Sequence, residues 1–297
     1  MGTTKAVAQR VDPSAMNAQK SYLVNGGFEN WQRGAGPFST GDRFSADEWK
    51  LGIGAGCALS VSRSTTIKCG AYSAELAATK GTGLVYLRQG IEPYLCLAGS
   101  TLTFSMWVNT ATASSVYIAI GDYDGVTTDG NASIFHSGSG TWEFLTVTYQ
   151  LRDSLASYSD CPHAFGAWVE IAFAATNAST YIDSGMLVVG DYPEGANFVP
   201  LMPAEDLQRC QRFFESCRSK LEGYATTIAS VSSPGRYATR KQDVPVITVT
   251  AEPTLTNVGV TRGVTQDIND SGAFTVSAMA AVNGMLSYEV VWEAAVP

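Results

Sequence analysis

Short stretches in which hydrophobic and polar residues alternate follow one another from residue 21 to about residue 200. A period of two is typical of β-strands that bury one face. Clusters rich in glycine, serine, asparagine and aspartate separate the stretches, as expected for turns. Because no helical pattern interrupts the series, it predicts an antiparallel β-sandwich, a jelly roll, over residues 21–201. The predicted strands are residues 58–64, 72–78, 84–91, 101–110, 114–122, 142–151, 167–175 and 181–190.

The pattern changes to a helical one at residue 203. Residues 203–223 begin with a proline, carry two acids in the first turn, and end at a glycine that follows basic residues. Each of these features favours one helix over the whole segment. Its apolar residues recur at intervals of three and four, which is a heptad pattern: Leu207, Cys210, Phe214, Cys217 and Leu221. Two interpretations stay open, a helix packed on its own domain and a short self-association seam.

Alternation returns in residues 243–253, 273–284 and 285–296. The last two segments meet at Asn283-Gly284, a dipeptide typical of a type I′ hairpin. Residues 202–297 therefore predict one helix followed by a small antiparallel β domain. A sheet this small buries little area and exposes its edges, so we expect a homotrimer held through residues 203–297.

The first twenty residues have a different texture, with no aromatic residue and no apolar periodicity. Residues 1–20 are expected to form an arm that becomes ordered only on a partner. They also lack the apolar core of a signal peptide.

Composition narrows the classes of function. The chain has 297 residues and a net charge of −8, with no cluster of lysine or arginine, which argues against binding to nucleic-acid phosphates. No run of about eighteen apolar residues predicts a membrane span. The six cysteines form no C-x-x-C pair, so buried, reduced thiols are expected.

Enzymatic motifs are hard to find in this sequence. The two histidines, His136 and His163, lie in no zinc or hydrolase motif, and no glycine-rich phosphate loop occurs. The acids that would in principle suit a glycosidase pair are Asp47, Glu48, Asp122, Asp124, Glu143 and Glu170, although any sandwich carries comparable acids on its surface. Residues 121–130 have the composition of a calcium loop, but Val126 stands at a ligand position, so a solvated loop is favoured.

Two distant carboxylates attract more interest. Glu29 follows the Asn-Gly-Gly turn in residues 22–31, and Asp183 lies in the last predicted strand of the sandwich. We expect the two to converge because the first and last strands of such a sandwich are commonly adjacent. Burying either one unpaired would cost several kcal/mol, so a cation or an arginine partner is expected. Two carboxylates with loop carbonyls suit calcium.

The order of several short motifs resembles the carbohydrate-binding-module type of galactose-binding-like jelly roll. The motifs are YLVNGGFENW (22–31), KCGAYSAEL (68–76), IEPYLCLAGSTLTFSMWV (91–108), TWEFLTVTYQL (141–151) and YIDSGMLV (181–188). In that family such motifs surround a structural calcium ion. The resemblance therefore implies that Glu29 and Asp183 are side-chain ligands, with backbone carbonyls from Lys68 and Gly70.

A second resemblance begins at residue 197. NFVPLMPAEDLQRCQRFFES (197–216) resembles the segment that follows such jelly rolls in structural proteins of tailed phages, and DVPVITVTAEP and SYEVVWEAAV resemble their terminal strands. This implies a protein of the virion surface, assembled in the host cytoplasm, of the tail-fibre, receptor-binding or head-fibre type. Its arm, residues 1–20, would attach to other virion proteins.

Three functions are weighed on this basis. The first is a non-enzymatic appendage that binds host-surface glycans; the second is a capsid decoration or head-fibre protein with a purely structural role; the third, less favoured, is a polysaccharide depolymerase. The rings predicted to stack on sugars are Trp107, Tyr117 and Tyr123. Trp107 is chosen because alternation leaves it off the face of its apolar neighbours, and the tyrosines because they flank the acidic loop. For each ring, core packing is the alternative.

Overall fold

This computed structural model of the protein describes residues 20–225, 230–267 and 270–296. Apart from Lys20, the predicted N-terminal arm therefore lies outside the described residues. The described residues form an N-terminal β-sandwich, then one helix and a C-terminal region of two small sheets. The prediction of an all-β jelly roll followed by a helix and a small antiparallel β domain is confirmed. No helix among the described residues is long and apolar enough to span a membrane.

Ten strands and a one-turn helix, α1 (Tyr94–Leu97), build the sandwich. The strands are β1 (Lys50–Ile53), β2 (Ala58–Ser64), β3 (Ser73–Thr79), β4 (Val85–Gly90), β5 (Thr101–Thr110), β6 (Val116–Tyr123), β7 (Thr128–Ala132), β8 (Trp142–Gln150), β9 (Ala167–Phe173) and β10 (Asn177–Val189). They form two five-stranded sheets, in the orders β1-β4-β9-β6-β7 and β2-β3-β10-β5-β8. Every pairing in both sheets is antiparallel.

The core lies between the two sheets. In β5 the apolar residues alternate from Leu102 to Val108 and are fully buried, and Val169 and Ile171 are buried from the opposite sheet. The intervening Thr103 and Ser105 are buried too, on the outer side, where residues 190–196 cover them. Side chains of a strand alternate between its two faces, so a period-two sequence fills one side only. Each buried aliphatic or aromatic side chain contributes about 1.5–3 kcal/mol. This interior holds the two sheets rigidly enough to position groups on their outer faces.

The segment before β1 closes one end of the sandwich. The backbone amide of Tyr22 donates to the Leu187 carbonyl at 2.9 Å, which places this segment beside β10. Phe28 is fully buried and stacks on Trp49 with 5.2 Å between ring centroids. Anchored by that ring, the chain places Glu29 at the edge of β10.

The C-terminal region consists of helix α2 (Pro203–Gln211) and six strands. The strands are β11 (Phe214–Ala225), β12 (Ser230–Arg236), β13 (Val246–Thr256), β14 (Val258–Asp267), β15 (Asp270–Ala280) and β16 (Gly284–Ala295). They form two three-stranded sheets, in the orders β11-β16-β13 and β12-β15-β14. Tyr288 and Trp292 of β16 are fully buried between them.

The predicted helix over residues 203–223 is correct at its start and wrong at its end. It ends at Gln211, and the second half of the heptad pattern belongs to β11, which pairs with β16 along its full length. Leu221 is buried while Arg218 and Lys220 are exposed, so these residues follow a period of two. Pairing with β16 satisfies the backbone and buries the apolar half of that alternation, whereas a lone two-heptad helix would have no such partner. A seam made by a two-heptad helix is therefore wrong, and self-association through this region stays a prediction.

The predicted hairpin at Asn283-Gly284 is also wrong. β15 pairs with β12 and β14, whereas β16 pairs with β11 and β13 in the other sheet. The connection therefore crosses between the sheets. The Asn257 side-chain amide anchors it by donating to the carbonyls of Val282 and Met285 at 2.9 and 3.0 Å.

All six cysteines are free, as predicted. Cys161 and Cys210 are buried, but Cys69 and Cys96 are exposed, so the expectation of buried thiols is wrong for these two. Cys69 lies in a turn and Cys96 on the solvent side of the one-turn helix α1, so neither is covered by the apolar side of a sheet.

Candidate functional site

The outer face of the sheet β1-β4-β9-β6-β7 carries three cross-strand rows of side chains. The rows are Gly52–Tyr86–Ala172–Tyr117, Lys50–Arg88–Glu170–Ala119–Ala132 and Gly90–Trp168–Gly121–Gly130. Their members alternate with core residues along each strand, so they point away from the sandwich interior. The strands that contribute to a row are distant in sequence and adjacent only in the sheet.

Two aromatic rings lie flat across this face because glycines sit beneath them. A Cβ atom at Gly52 would overlap the ring of Tyr86, and one at Gly121 would overlap the indole of Trp168. Glycine in a strand commonly marks such a close approach. The glycines thus set the orientation of both rings.

An arginine–glutamate pair lies between the rings. Arg88 donates from Nε and Nη2 to Glu170 Oε2 at 3.0 and 2.7 Å. Its guanidinium carbon lies 4.1 Å from the Tyr86 centroid and 4.6 Å from the Trp168 centroid. Charge-assisted hydrogen bonds and two cation–π contacts hold this side chain, which is only 6% exposed, in one orientation. Glu170 is partly exposed and is held at a fixed position on the face.

Tyr86 and Tyr117 are both partly exposed and flank Ala172 in the first row. Two strand spacings, about 9.6 Å, separate their backbones, and the Tyr86 ring itself lies over Gly52, on the side of β4 away from β9. We call the space between the two rings, with Ala172 and Glu170 at its floor and Arg88 beside it, the tyrosine groove. Burial raises the pKa of Tyr86 and Tyr117 above the usual value of 10, so both hydroxyls stay protonated near neutral pH. Each can donate and accept a hydrogen bond.

The two ends of this sheet face differ. At one end Tyr158, from the loop after β8, stacks on Tyr123 and Trp168 with centroid distances of 4.8 and 5.3 Å. At the other end Phe135 meets Tyr117 edge to face at 5.2 Å and is 45% exposed. Tyr158 therefore covers the face near Tyr123 and Trp168, whereas near Tyr117 the exposed Phe135 extends the aromatic surface.

The predicted sugar-binding rings are thus not all in one place. Tyr117 and Tyr123 lie on the same face, whereas Trp107 lies on the outer face of the opposite sheet. Trp107 is partly exposed, while Phe104 and Met106 are fully buried, as the alternation predicts. Its ring is capped by the Lys68 ammonium at 3.8 Å, and Phe144 lies 5.0 Å away. A ligand would have to displace Lys68 to stack on that side of the ring.

Sequence reasoning missed Tyr86 and Arg88. A signal was present, since residues 84–91 alternate and place both side chains on the same face of one strand. Glu170 had been considered only as one of several surface acids. That these residues meet depends on the order β4-β9-β6, which the sequence does not display.

Glu29 and Asp183 converge, but on one loop rather than on each other. Asp183 Oδ2 accepts from the amides of Lys68 and Cys69 at 2.7 and 2.9 Å. Glu29 Oε1 accepts from the amide of Ala71 at 2.7 Å. Gly70 lies between these amides with φ +74°, and a Cβ there would overlap Glu29 Oε1. The two carboxylates therefore clamp the turn of residues 68–71.

The groups around this clamp are hydrogen-bond donors. Ser184 Oγ donates to Asp183 Oδ1 at 3.0 Å, in addition to the backbone amides. Burial raises the pKa of Asp183, and these hydrogen bonds act against the rise. Calcium requires six to eight oxygen ligands, and both oxygens of Asp183 already accept hydrogen bonds from protein donors. Calcium binding at this clamp stays a prediction.

The clamp borders a cavity of about 580 Å³. Leu23, Phe198 and Leu201 give it apolar walls, and Asp206 adds a third carboxylate. Among the described residues, however, no group of three or more histidine, cysteine, aspartate or glutamate side chains is placed to hold a metal ion. Asp206 is already used, because it accepts from the Asn25 amide at 3.1 Å and from Asn30 Nδ2 at 2.8 Å.

No protein-family model matches this sequence, and no curated protein matches it. Among solved structures, the chain is similar to the xylan-binding domain CBM22-1 from Paenibacillus barcinonensis, with 12% identity over 59% of this chain and 97% of that one and a TM-score of 0.39. A family 11 carbohydrate-binding module from Clostridium thermocellum, in complex with a mixed-linked tetrasaccharide, shows 13% identity over 51% and 94%, TM-score 0.35. The enzymatically active domain of tailspike protein 4 of bacteriophage CBA120 shows 11% over 57% and 21%, TM-score 0.38. Likeness at this level carries no argument about function.

Proposed function

We propose that this chain is a non-enzymatic glycan-binding protein and that the tyrosine groove is its binding surface. The observation that carries the proposal is the pairing of two partly exposed rings, Tyr86 and Tyr117, across a floor that holds an oriented carboxylate, Glu170. Saccharides combine apolar C–H faces with hydroxyl rims. Rings suit the faces, and the carboxylate and tyrosine hydroxyls suit the rims.

The groove is prepared for a ligand in advance. Arg88 is held by Glu170 and by two rings, so its ordering adds little entropic cost when a ligand binds. Glu170 Oε2 is occupied by Arg88, which leaves Oε1 to accept from sugar hydroxyls. Because the Arg88–Glu170 pair carries no net charge and still offers a hydrogen-bond acceptor, the groove suits an uncharged glycan.

The surroundings of Glu170 support binding without catalysis. Glycoside hydrolysis uses two carboxyl groups that flank the scissile bond, roughly 5–10 Å apart. The direct cross-strand neighbours of Glu170, Arg88 and Ala119, are not acids, although Asp160 approaches the same face, where its carbonyl accepts from Arg88 Nη1 at 3.4 Å. We keep a depolymerase as the least favoured of the three functions.

The biological setting that we propose is the surface of a tailed-phage virion, where the groove would contact host-surface glycans. Residues 1–20 would attach the chain to other virion proteins, and residues 203–297 would hold a homotrimer. Exposed apolar residues on the outer strands of the C-terminal sheets support self-association: Val246, Val249, Leu255 and Val260. The three grooves of one trimer would together bind a glycan surface more tightly than one groove does alone. A purely structural decoration protein is the alternative.

Binding to host cells and to a glycan array tests this function. The variant Tyr86→Ala should weaken binding at least tenfold, because it removes a stacking surface and one support of Arg88. Tyr224→Ala is the matched control, since Tyr224 is 66% exposed in β11, outside the sandwich. No binding by the wild type would favour the structural role, and release of reducing ends from host polysaccharide would favour an enzyme.

A further inference from the structure

A second cavity, of about 590 Å³, lies where the sandwich meets helix α2. The N-terminal segment, the loop before β1, the end of β4 with the turn after it, and the helix each contribute to its walls. The lining residues used below are Lys20, Tyr22, Glu48, Glu92, Glu205, Arg209, Arg212 and Phe213. The cavity shares no residue with the tyrosine groove.

Two charged side chains of this lining carry atoms without a partner. Glu48 Oε1 and Arg209 Nη1 are both buried from solvent and accept or donate no hydrogen bond within the described part of the chain. Glu48 is only 4% exposed. Leaving such an atom unsatisfied is costly, and more so when the group is charged. One acceptor and one donor are therefore unused around the same cavity.

Both groups are held in place by their other atoms. Glu48 Oε2 bonds to His163 Nε2 at 2.9 Å, and the His163 ring stacks on Phe213 at 4.6 Å. Arg209 Nη2 donates to the Ser21 carbonyl at 3.2 Å. Glu48 also has φ +72°, a backbone conformation that is uncommon for a non-glycine residue and often found at functional sites. Each side chain is thus tied through one atom, and its unused atom, which is shielded from water, must turn toward the cavity to meet a ligand.

The charges of the lining indicate what kind of molecule suits it. Three basic and three acidic side chains line the cavity, so its formal charge balances to zero: Lys20, Arg209 and Arg212 against Glu48, Glu92 and Glu205. Arg212 and Glu92 already pair with each other at 2.8 Å. A neutral molecule that can both donate and accept satisfies Glu48 and Arg209 without adding a net charge. The volume lies within the range of small-molecule sites and far exceeds that of one water.

We propose that this cavity is a binding site for a neutral polyhydroxylated molecule of about monosaccharide size. One hydroxyl donates to Glu48 Oε1, and another accepts from Arg209 Nη1. Hydroxyl groups serve both roles, and the partly exposed Tyr22 supplies ring surface for the C–H faces of the ligand. The site is independent of the tyrosine groove and does not require that groove to bind glycans.

The test is to titrate the full-length protein with four sugars in turn and to detect binding by ligand-observed NMR. The sugars are D-glucose, D-galactose, D-mannose and N-acetyl-D-glucosamine. We expect at least one to bind, and we expect Glu48→Gln and Arg209→Met each to raise its Kd about tenfold or more. Glu194→Gln, at an exposed position outside the cavity lining, is the matched control and should change Kd less than twofold. Tyr86→Ala should also leave this binding unchanged, which separates the cavity from the groove.

Several results would overturn the proposal. They are no binding by any of the four sugars, equal binding by wild type and both cavity variants, or stronger binding of glycine, a zwitterion, than of any sugar. If a variant fails to fold, a crystal structure of the wild type soaked with the sugar that bound in the titration provides the test instead. Density for the sugar in contact with Glu48 and Arg209 supports the site, and ordered water alone at both atoms refutes it.

Discussion

The buried carboxyl group of Asp47 should make the protein more stable at mildly acidic pH than at neutral pH. Its side chain is fully buried, and burial, as the largest effect, raises its pKa from the usual 3.8 to about 6, although hydrogen bonds from Gln32 and the charge of Arg33 oppose the rise. Gln32 Nε2 donates to Asp47 Oδ2 at 2.8 Å and to the Phe214 carbonyl at 3.1 Å. Arg33 lies 3.6 Å from the Phe214 ring centroid. Asp47 therefore sits where the sandwich meets β11.

The sign follows from proton linkage. A folded-state pKa above the unfolded one means that the folded protein binds the proton more tightly between about pH 4 and about pH 6. The Asp47 contribution is therefore fully present below the unfolded pKa and is lost as pH rises through about 6. With pKa values of 3.8 and about 6, the gain between about pH 7.5 and about pH 5 is roughly 1.4 kcal/mol.

Urea unfolding of the wild type and of Asp47→Asn at both pH values measures this difference. Asparagine cannot ionise, so we expect the variant to lack the gain, whatever its absolute stability. Asp191→Asn, which changes an exposed carboxylate, is the control and should keep the wild-type slope. An identical change of unfolding free energy with pH in wild type and Asp47→Asn would refute the reasoning.

Three further predictions concern the clamp and the assembly. Gly70→Ala should lower the unfolding free energy by at least about 1 kcal/mol in urea titrations, because Gly70 has a left-handed φ and its Cβ would overlap Glu29; an unchanged midpoint would contradict this. If calcium binds at the clamp of Glu29 and Asp183, a chelator should lower the Tm of the wild type, and Asp183→Asn should abolish that sensitivity. An unchanged wild-type Tm would mean that the amide hydrogen bonds alone hold the turn of residues 68–71. Light scattering at micromolar concentration should give a trimer for the wild type. Val260→Asp should dissociate it, since Val260 is 94% exposed and would carry a charge into the contact. A monomeric wild type would contradict the proposed trimer.

The sandwich was predictable because apolar residues recur with a period of two in many of its strands, although β6, β9 and β10 are buried on both faces over part of their length. The predicted bounds of β2 and β5 coincide with those observed. β7 was missed because all of its residues are exposed, so burial imposes no pattern on it. The end of α2 was misplaced because residues 214–223 satisfy both a heptad spacing and a period of two, and only pairing with β16 decides between them.

The candidate site was predictable only in part, since it arises from strand order. Tyr117 was found because it flanks a loop that is conspicuous in sequence. Tyr86 meets it only because β9 inserts between β4 and β6, and no local pattern encodes that insertion. The convergence of Glu29 and Asp183 was expected because first and last strands are commonly adjacent, but β1 and β10 lie in opposite sheets. The two carboxylates approach the same turn because the segment before β1, which is not a strand, runs beside β10. The backbone amides that meet them belong to a turn conformation around Gly70, which residue types alone do not specify.

The most direct test of the central claim is to map where a glycan binds. Titration of an array-selected oligosaccharide into isotope-labelled protein, followed by backbone amide NMR, locates the contact residue by residue. The account predicts shifts concentrated on β4, β9 and β6 around Tyr86, Glu170 and Tyr117. Shifts centred instead on β5 and β8 around Trp107, with the tyrosine groove unaffected, would contradict it.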